Sequence, residues 1–234
     1  MTMKEFKFIT QFKELKSTLS TMTYKEKLQH LWTYYALKTV VILLCLIMLI
    51  SIVLASCENR QINVIVGGVM VNVDISDAGE HYLKDGYKAF VGSESEKDRV
   101  SLSYMSLGSA ETTVNSDNYY ALQSVLALVA GKDLDYLITD EEAFLTLLKQ
   151  DIYADLRNVY TEEELETMGE AVVYYQEQGS SKKIPVAIDI QKTAFVRDNT
   201  TTDGMVYFIF IANSERIEQT KDLLEYLKDW PAKK

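Results

Sequence analysis

Apolar and polar positions along this chain follow three different rhythms. From Val40 to Ala55 every side chain but Ser51 is apolar and none is charged. Counting Ala36, Leu37 and Thr39, with Lys38 free to snorkel, the stretch reaches about 18 to 20 residues, which a helix at 1.5 Å per residue needs to cross ~30 Å of hydrocarbon. This predicts a single transmembrane helix over 39–56. Before it, Phe6, Phe8, Ile9, Phe12, Leu15 and Leu19 interleave with Lys4, Lys7, Lys13 and Lys16, the pattern of a basic amphipathic helix lying on anionic lipid; a frayed tail is the alternative. Thr23-Tyr24-Lys25-Glu26 reads as a capping box, and a helix starting there runs through Leu28, Leu31, Trp32 and Tyr35 into the span.

After the span the rhythm shortens. Ile62 to Val66 is rich in β-branched residues and reads as a strand. Gly67-Gly68 breaks it before Val69 to Val73, so a hairpin or a strand plus loop both fit. Asp74 to Asp77 caps a helix carrying Tyr82, Leu83, Tyr87, Ala89 and Phe90. Arg99 to Met105 alternates as a second strand. Ser116-Asp117 caps a helix through Val129 that ends at Gly131, and Leu134 to Asp140 is a strand feeding the helix Glu141 to Lys149. Thr161-Glu162-Glu163-Glu164 opens another helix. Lys183 to Ile190 is a strand whose Pro185 suggests an edge or a strand end. Met205 to Ile211, apolar on both faces, is a central strand, and Ser214 to Trp230 closes the chain as an amphipathic helix. Strand and helix alternating in this way predict right-handed βαβ units. The fold class is therefore α/β: a mixed, largely parallel sheet covered by helices, preceded by one transmembrane helix. Three regions result: a cytoplasmic basic arm 1–38, the span 39–56 and an extracytoplasmic domain 57–234.

Charge decides the orientation. The arm holds seven lysines and three glutamates, a net of +4, against −10 for the whole chain, so the remainder carries −14. Short lysine-rich flanks stay cytoplasmic, and Trp32, Tyr34 and Tyr35 mark the interface before the apolar run. The expected location is the cell membrane, with the large acidic domain outside. That acidity excludes phosphate-backbone recognition, so no nucleic-acid partner is expected. Leu54-Ala55-Ser56-Cys57 matches a bacterial lipobox, making Cys57 a possible lipidation site; a retained anchor helix ending in small residues is the other reading. Beyond Cys57 there is no cysteine, hence neither disulfide nor thiol nucleophile.

Two segments together resemble extracellular solute-binding proteins of bacterial ABC transporters. They are Asp133 to Tyr160, with its acidic helix start and Tyr153-Ala154-Asp155-Leu156, and Lys183 to Asp189 followed by the Ile209 to Ser214 strand end. The resemblance implies one lobe of a periplasmic-binding-protein-like fold, membrane-anchored and truncated. Only some 25 residues, Thr161 to Pro185, stand where a second lobe would be inserted.

Chemistry has few carriers. His30 and His81 are the two histidines, and His81 lacks a nucleophile motif nearby. Gly67-Gly68 lacks the third glycine of a dinucleotide loop. Asp74/Asp77 and Asp140/Glu141/Glu142 could hold a hard cation, but acids at helix starts are explained by capping. No catalysis, cofactor or metal is expected. Ligands of an open α/β sheet collect beyond the C-terminal strand ends, which nominates Gly67, Gly68, Thr139, Asp140 and Asp189, with Tyr104 or Tyr136 as a stacking ring. Asn199-Thr200-Thr201 is a formal glycosylation sequon. The expected function is recognition of a small solute or a surface partner protein by a tethered, non-enzymatic domain. The alternative is an accessory subunit of a membrane complex that binds no small ligand.

Overall fold

A computed structural model describes residues 23–59, 62–108, 116–176, 182–202 and 204–230. The amphipathic reading of residues before 23 lies outside the described residues, as does the Cys57 side chain. The chain divides into two compact units, 1–61 and 62–234.

The described part of the first unit is one helix, α1 (Tyr24–Asn59), continuous across the predicted boundary between arm and span. Its large apolar side chains from Val40 to Leu54 are 46–66% exposed. Ser51, the polar exception, donates its hydroxyl to the Ile47 carbonyl at 2.9 Å, so it presents no unsatisfied group. Among the described residues no helix is long and apolar enough to cross a membrane.

Among the described residues of the second unit six strands form one sheet, in the order β2-β1-β3-β6-β5-β4. They are β1 (Asn63–Val71), β2 (Asp98–Met105), β3 (Tyr136–Asp140), β4 (Val172–Gln176), β5 (Lys183–Asp189) and β6 (Val206–Phe210). β1 pairs in parallel with β2 and β3, while β6 is antiparallel to β3 and β5, and β4 to β5. Four strands thus run one way and two the other. The wholly buried β6 is central as expected, but it runs against its neighbours: the short helix α7 (Ala194–Asn199) between β5 and β6 lets the chain double straight back.

Period-two alternation sorts the strand side chains to two faces. One carries Met70, Tyr136, Phe208 and Phe210 under α2 (Asp77–His81), a π-turn (Tyr82–Gly86), α3 (Tyr87–Phe90), α7 and α8 (Ile217–Lys228). The other carries Val69, Val71, Leu137 and Ile209 against α4 (Ser116–Ala130) and α5 (Glu141–Leu148). Each such Val, Leu, Ile or Phe contributes about 1.5–3 kcal/mol on burial, so an acidic domain without disulfides is held by two apolar layers.

Caps behave largely as the sequence predicts. Asp140 accepts from the Ala143 amide at 2.9 Å. Thr161 and Glu164 form a complete capping box on α6 (Glu162–Met168). At the first helix the cap is Ser76, accepting from Gly79 N–H at 3.1 Å. Pro185 is buried near the start of β5, opposite Tyr174 of the outer strand β4. The β5–β6 pairs Ile188–Phe208 and Asp189–Tyr207 lie past it, and the β4–β5 register skips Val186 beside it, so its missing donor falls at an irregularity of the ladder. β4 and α7 are not among the predicted elements, although Val172-Val173-Tyr174-Tyr175 is a β-prone run and Thr193 caps α7. β4 and α6 fall in the Thr161 to Pro185 stretch and extend the same unit.

Candidate functional site

β1 lies between two parallel neighbours, and the chain leaves it first for β2 and later reaches β3 on the other side. A crevice at the C-terminal ends of such strands is the usual ligand position. Here Asn72 fills it. This residue takes a left-handed conformation, φ +59°, which asparagine tolerates better than most residues. Its amide nitrogen donates to the Leu107 carbonyl at 2.6 Å and to both Asp140 carboxylate oxygens at 3.2 and 3.3 Å. Its amide oxygen accepts from Leu107 N–H at 2.8 Å. One side chain therefore clasps the loops after β1 and β2 to the end of β3, and Asp140 is shared between this clasp and the α5 cap.

Beside the clasp a groove of about 430 Å³ is lined by Met70, Asn72, Asp74, Tyr104, Met105 and Ser106. Tyr104 is the nominated residue that remains available: it is 45% exposed. Its hydroxyl donates to Glu80 at 2.7 Å. Partial burial, reinforced by the Glu80 carboxylate, raises the Tyr104 hydroxyl well above the usual phenol range. Glu80 is held below the usual carboxylate range by Lys84 and by that same hydroxyl. Asp189 ends β5 and accepts from Gln191 N–H at 2.9 Å. It shares the Tyr207 row with Thr139 across β6, so two strand spacings, about 10 Å, separate it from the clasp.

The other nominations are corrected. Gly67 and Gly68 are not a turn but the middle of the unbroken nine-residue β1. They are glycines because of close approach: a Cβ at Gly67 would stand 2.4 Å from the Asp133 carbonyl oxygen, and one at Gly68 2.0 Å from the Tyr136 ring. Tyr136 is no stacking ring for a ligand, being wholly buried, crossing β1 at Gly68 and stacking on Phe208 at 5.1 Å. Its hydroxyl has no partner among the described residues. Thr139 is also fully buried. Asn199, the sequon residue, is buried and donates its amide to the Phe195 carbonyl at 3.0 Å.

Sequence reasoning missed Asn72 and also Asp135. The latter is fully buried and accepts from Gly67 N–H at 2.7 Å, the Ser214 hydroxyl at 2.6 Å and the Arg216 guanidinium at 2.7 Å. A carboxylate between Leu134 and Tyr136 in an apolar strand was the available signal, since a buried charge demands a partner. His81 is solvent-exposed and pairs with Asp85 at 2.7 Å. Among the described residues no group of three His, Cys, Asp or Glu side chains could hold a metal. No protein-family model, curated protein or solved structure matches this chain.

Proposed function

We propose that this protein is a membrane-tethered, non-enzymatic domain that recognises a partner polypeptide at the outer surface of the membrane. In this reading α1 lies in the bilayer with its lysine-rich N-terminal side in the cytoplasm, and the α/β unit, akin to a single lobe of a solute-binding protein, stands outside. The exposed apolar run of α1 supports the tether, because thirteen large hydrophobic side chains from Val40 to Leu54 facing water would drive aggregation.

One observation carries the preference for a partner over a solute: the crevice where a small ligand would sit is occupied by Asn72, bonded to Leu107 and Asp140. What remains is a groove on one side of the strand ends, and small-molecule sites enclose most of their ligand. The groove of Met70, Asn72 and Tyr104 is the specific feature favouring the second reading, a weakly held solute.

Photo-crosslinkers placed at the exposed Ser103, Leu145 and Tyr174 in the full chain, in its native membrane, test the proposal. Discrete crosslinked bands from one of these faces are expected. A thermal shift of the purified protein with a single class of sugar, amino acid or ion, without crosslinks, would transfer the function to the groove. Release of the chain from membranes by alkaline carbonate would remove the tether.

A further inference from the structure

β2 is an outermost strand of the sheet, and its outer side offers hydrogen bonds. The Met105 carbonyl accepts from Asn72 N–H at 3.0 Å and the Lys97 carbonyl from Asn63 N–H at 2.9 Å, so odd-numbered positions of this stretch turn toward β1. Backbone groups alternate sides along a strand, which leaves the N–H and C=O of Val100, Leu102 and Tyr104 directed outward, with no other strand among the described residues to receive them. Natural sheets blunt such edges with proline, lysine or a bulge in the edge strand. From Val100 to Ser106, Val-Ser-Leu-Ser-Tyr-Met-Ser, β2 has neither residue, and the bulge in its pairing with β1 lies in β1, at Ile65, not in β2.

A groove of about 520 Å³ runs beside this edge. Its lining includes Val64, Val100 and Leu102, together with Lys84 of the π-turn and Lys88 of α3. π-turns are rare and concentrate at functional sites. The charges here are not equally free. Asp98 accepts from Ser93 and Asn63, and Asp85 pairs with His81. Lys84 is paired with Glu80, and Lys88 donates to the Ser95 carbonyl at 2.7 Å; both bonds are near the surface and leave ammonium donors to spare. Arg99 has no ion-pair partner among the described residues. Glu96 is the acid of the groove without one, and it precedes β2.

We infer that β2 is a strand-addition site. It receives an extended segment of a partner protein whose side chains on the helix face are acidic, their methylenes on Leu102 and their carboxylates toward Lys84 and Lys88. Main-chain bonds supply the affinity and the alternating pockets the selectivity, as in other edge-strand recognition. This rests on the partner-docking reading above and names the surface and the chemistry.

The test uses the full chain in lipid nanodiscs and fluorescent hexapeptides of alternating threonine and glutamate. Binding at least ten-fold tighter than to the threonine–lysine counterpart is expected. Methylating the amides of one alternate set should weaken binding at least ten-fold, and methylating the other set should leave it unchanged, because only one set faces β2. Leu102→Pro removes an outward N–H without touching the β1 ladder, and should abolish binding while the unfolding midpoint stays near wild type. If that variant unfolds, Lys88→Glu serves instead and should narrow or reverse the preference between the two peptides. Equal effects of both methylation sets, equal binding of both peptides, or no binding would overturn the site. Dimerisation lost in Leu102→Pro would assign the edge to a second copy and overturn it likewise. Crosslinks persisting at Leu145 or Tyr174 in any of these cases would leave the partner-docking reading standing.

Discussion

The two ends of β3 meet neighbouring strands and loops through carboxylates, and they use them differently. At the N-terminal end Asp135 is fully buried and charge-paired with Arg216, which also donates to the Lys132 carbonyl at 3.1 Å. At the C-terminal end Asp140 is partly exposed, and a neutral amide, Asn72, holds it. A buried ion pair punishes any loss of a partner severely; a neutral clasp at a half-wet site exchanges its bonds with water cheaply. The first end behaves as a lock and the second can yield, and the groove beside Asn72 lies at the second.

The sharpest way to break this contrast is Asp135→Ala, which leaves Arg216, Ser214 and the Gly67 amide without their acceptor. About 3–5 kcal/mol of unfolding free energy should be lost, measured by urea denaturation. A loss below about 1 kcal/mol would show that the two ends do not differ. Next is Gly68→Ala, whose Cβ would invade the Tyr136 ring. It should cost about 1–3 kcal/mol through overpacking, and a Tyr136→Ala background should recover part of that; strict additivity would disprove the contact.

At the yielding end Asn72→Ala combines a left-handed backbone penalty of about 1–2 kcal/mol with the lost clasp. Asn72→Gly removes the backbone part and should cost about 1 kcal/mol. Equal costs for the two variants would refute the role given to the conformation. Tyr136→Phe deletes a buried hydroxyl that has no partner among the described residues and should be neutral or slightly stabilising.

The smallest effect belongs to neither end and serves as a control. Lys221, assisted by Thr161, lowers the Glu164 carboxyl from the usual 4.5 to about 2. A depressed carboxylate contributes stability that is present above about pH 4.5 and disappears as pH falls toward 2. The group is exposed, so the unfolding midpoint should show only a shallow decline over that window. Glu164→Gln should flatten it, and a steeper decline in the variant would contradict the assignment.

The order of elements was legible because hydrophobic period and cap residues are local properties. Val206 to Phe210 announces a buried strand, Asp140 and Thr161 announce helix starts, and Val40 to Ala55 announces itself. The candidate site was scarcely legible. Gly67-Gly68 reads as a turn in one dimension, because nothing nearby in sequence reveals that the Tyr136 ring, 68 residues on from Gly68, lies across it. Thr139 and Tyr136 sit at a strand end on paper and inside the packing in space. Asn72 looks like an ordinary loop residue until three strand ends converge on it.

The sequence by itself therefore determined the apolar helix, the basic arm before it, the acidic balance after it and the α/β alternation. These depend on composition and on neighbours three or four residues apart. Tertiary structure alone decided which strand became the unguarded edge, which carboxylate was buried and paired, that β6 reversed its direction, and that one asparagine closed the crevice. Each of those depends on contacts between distant residues, where the energy of burial and pairing is set by geometry that no local pattern encodes.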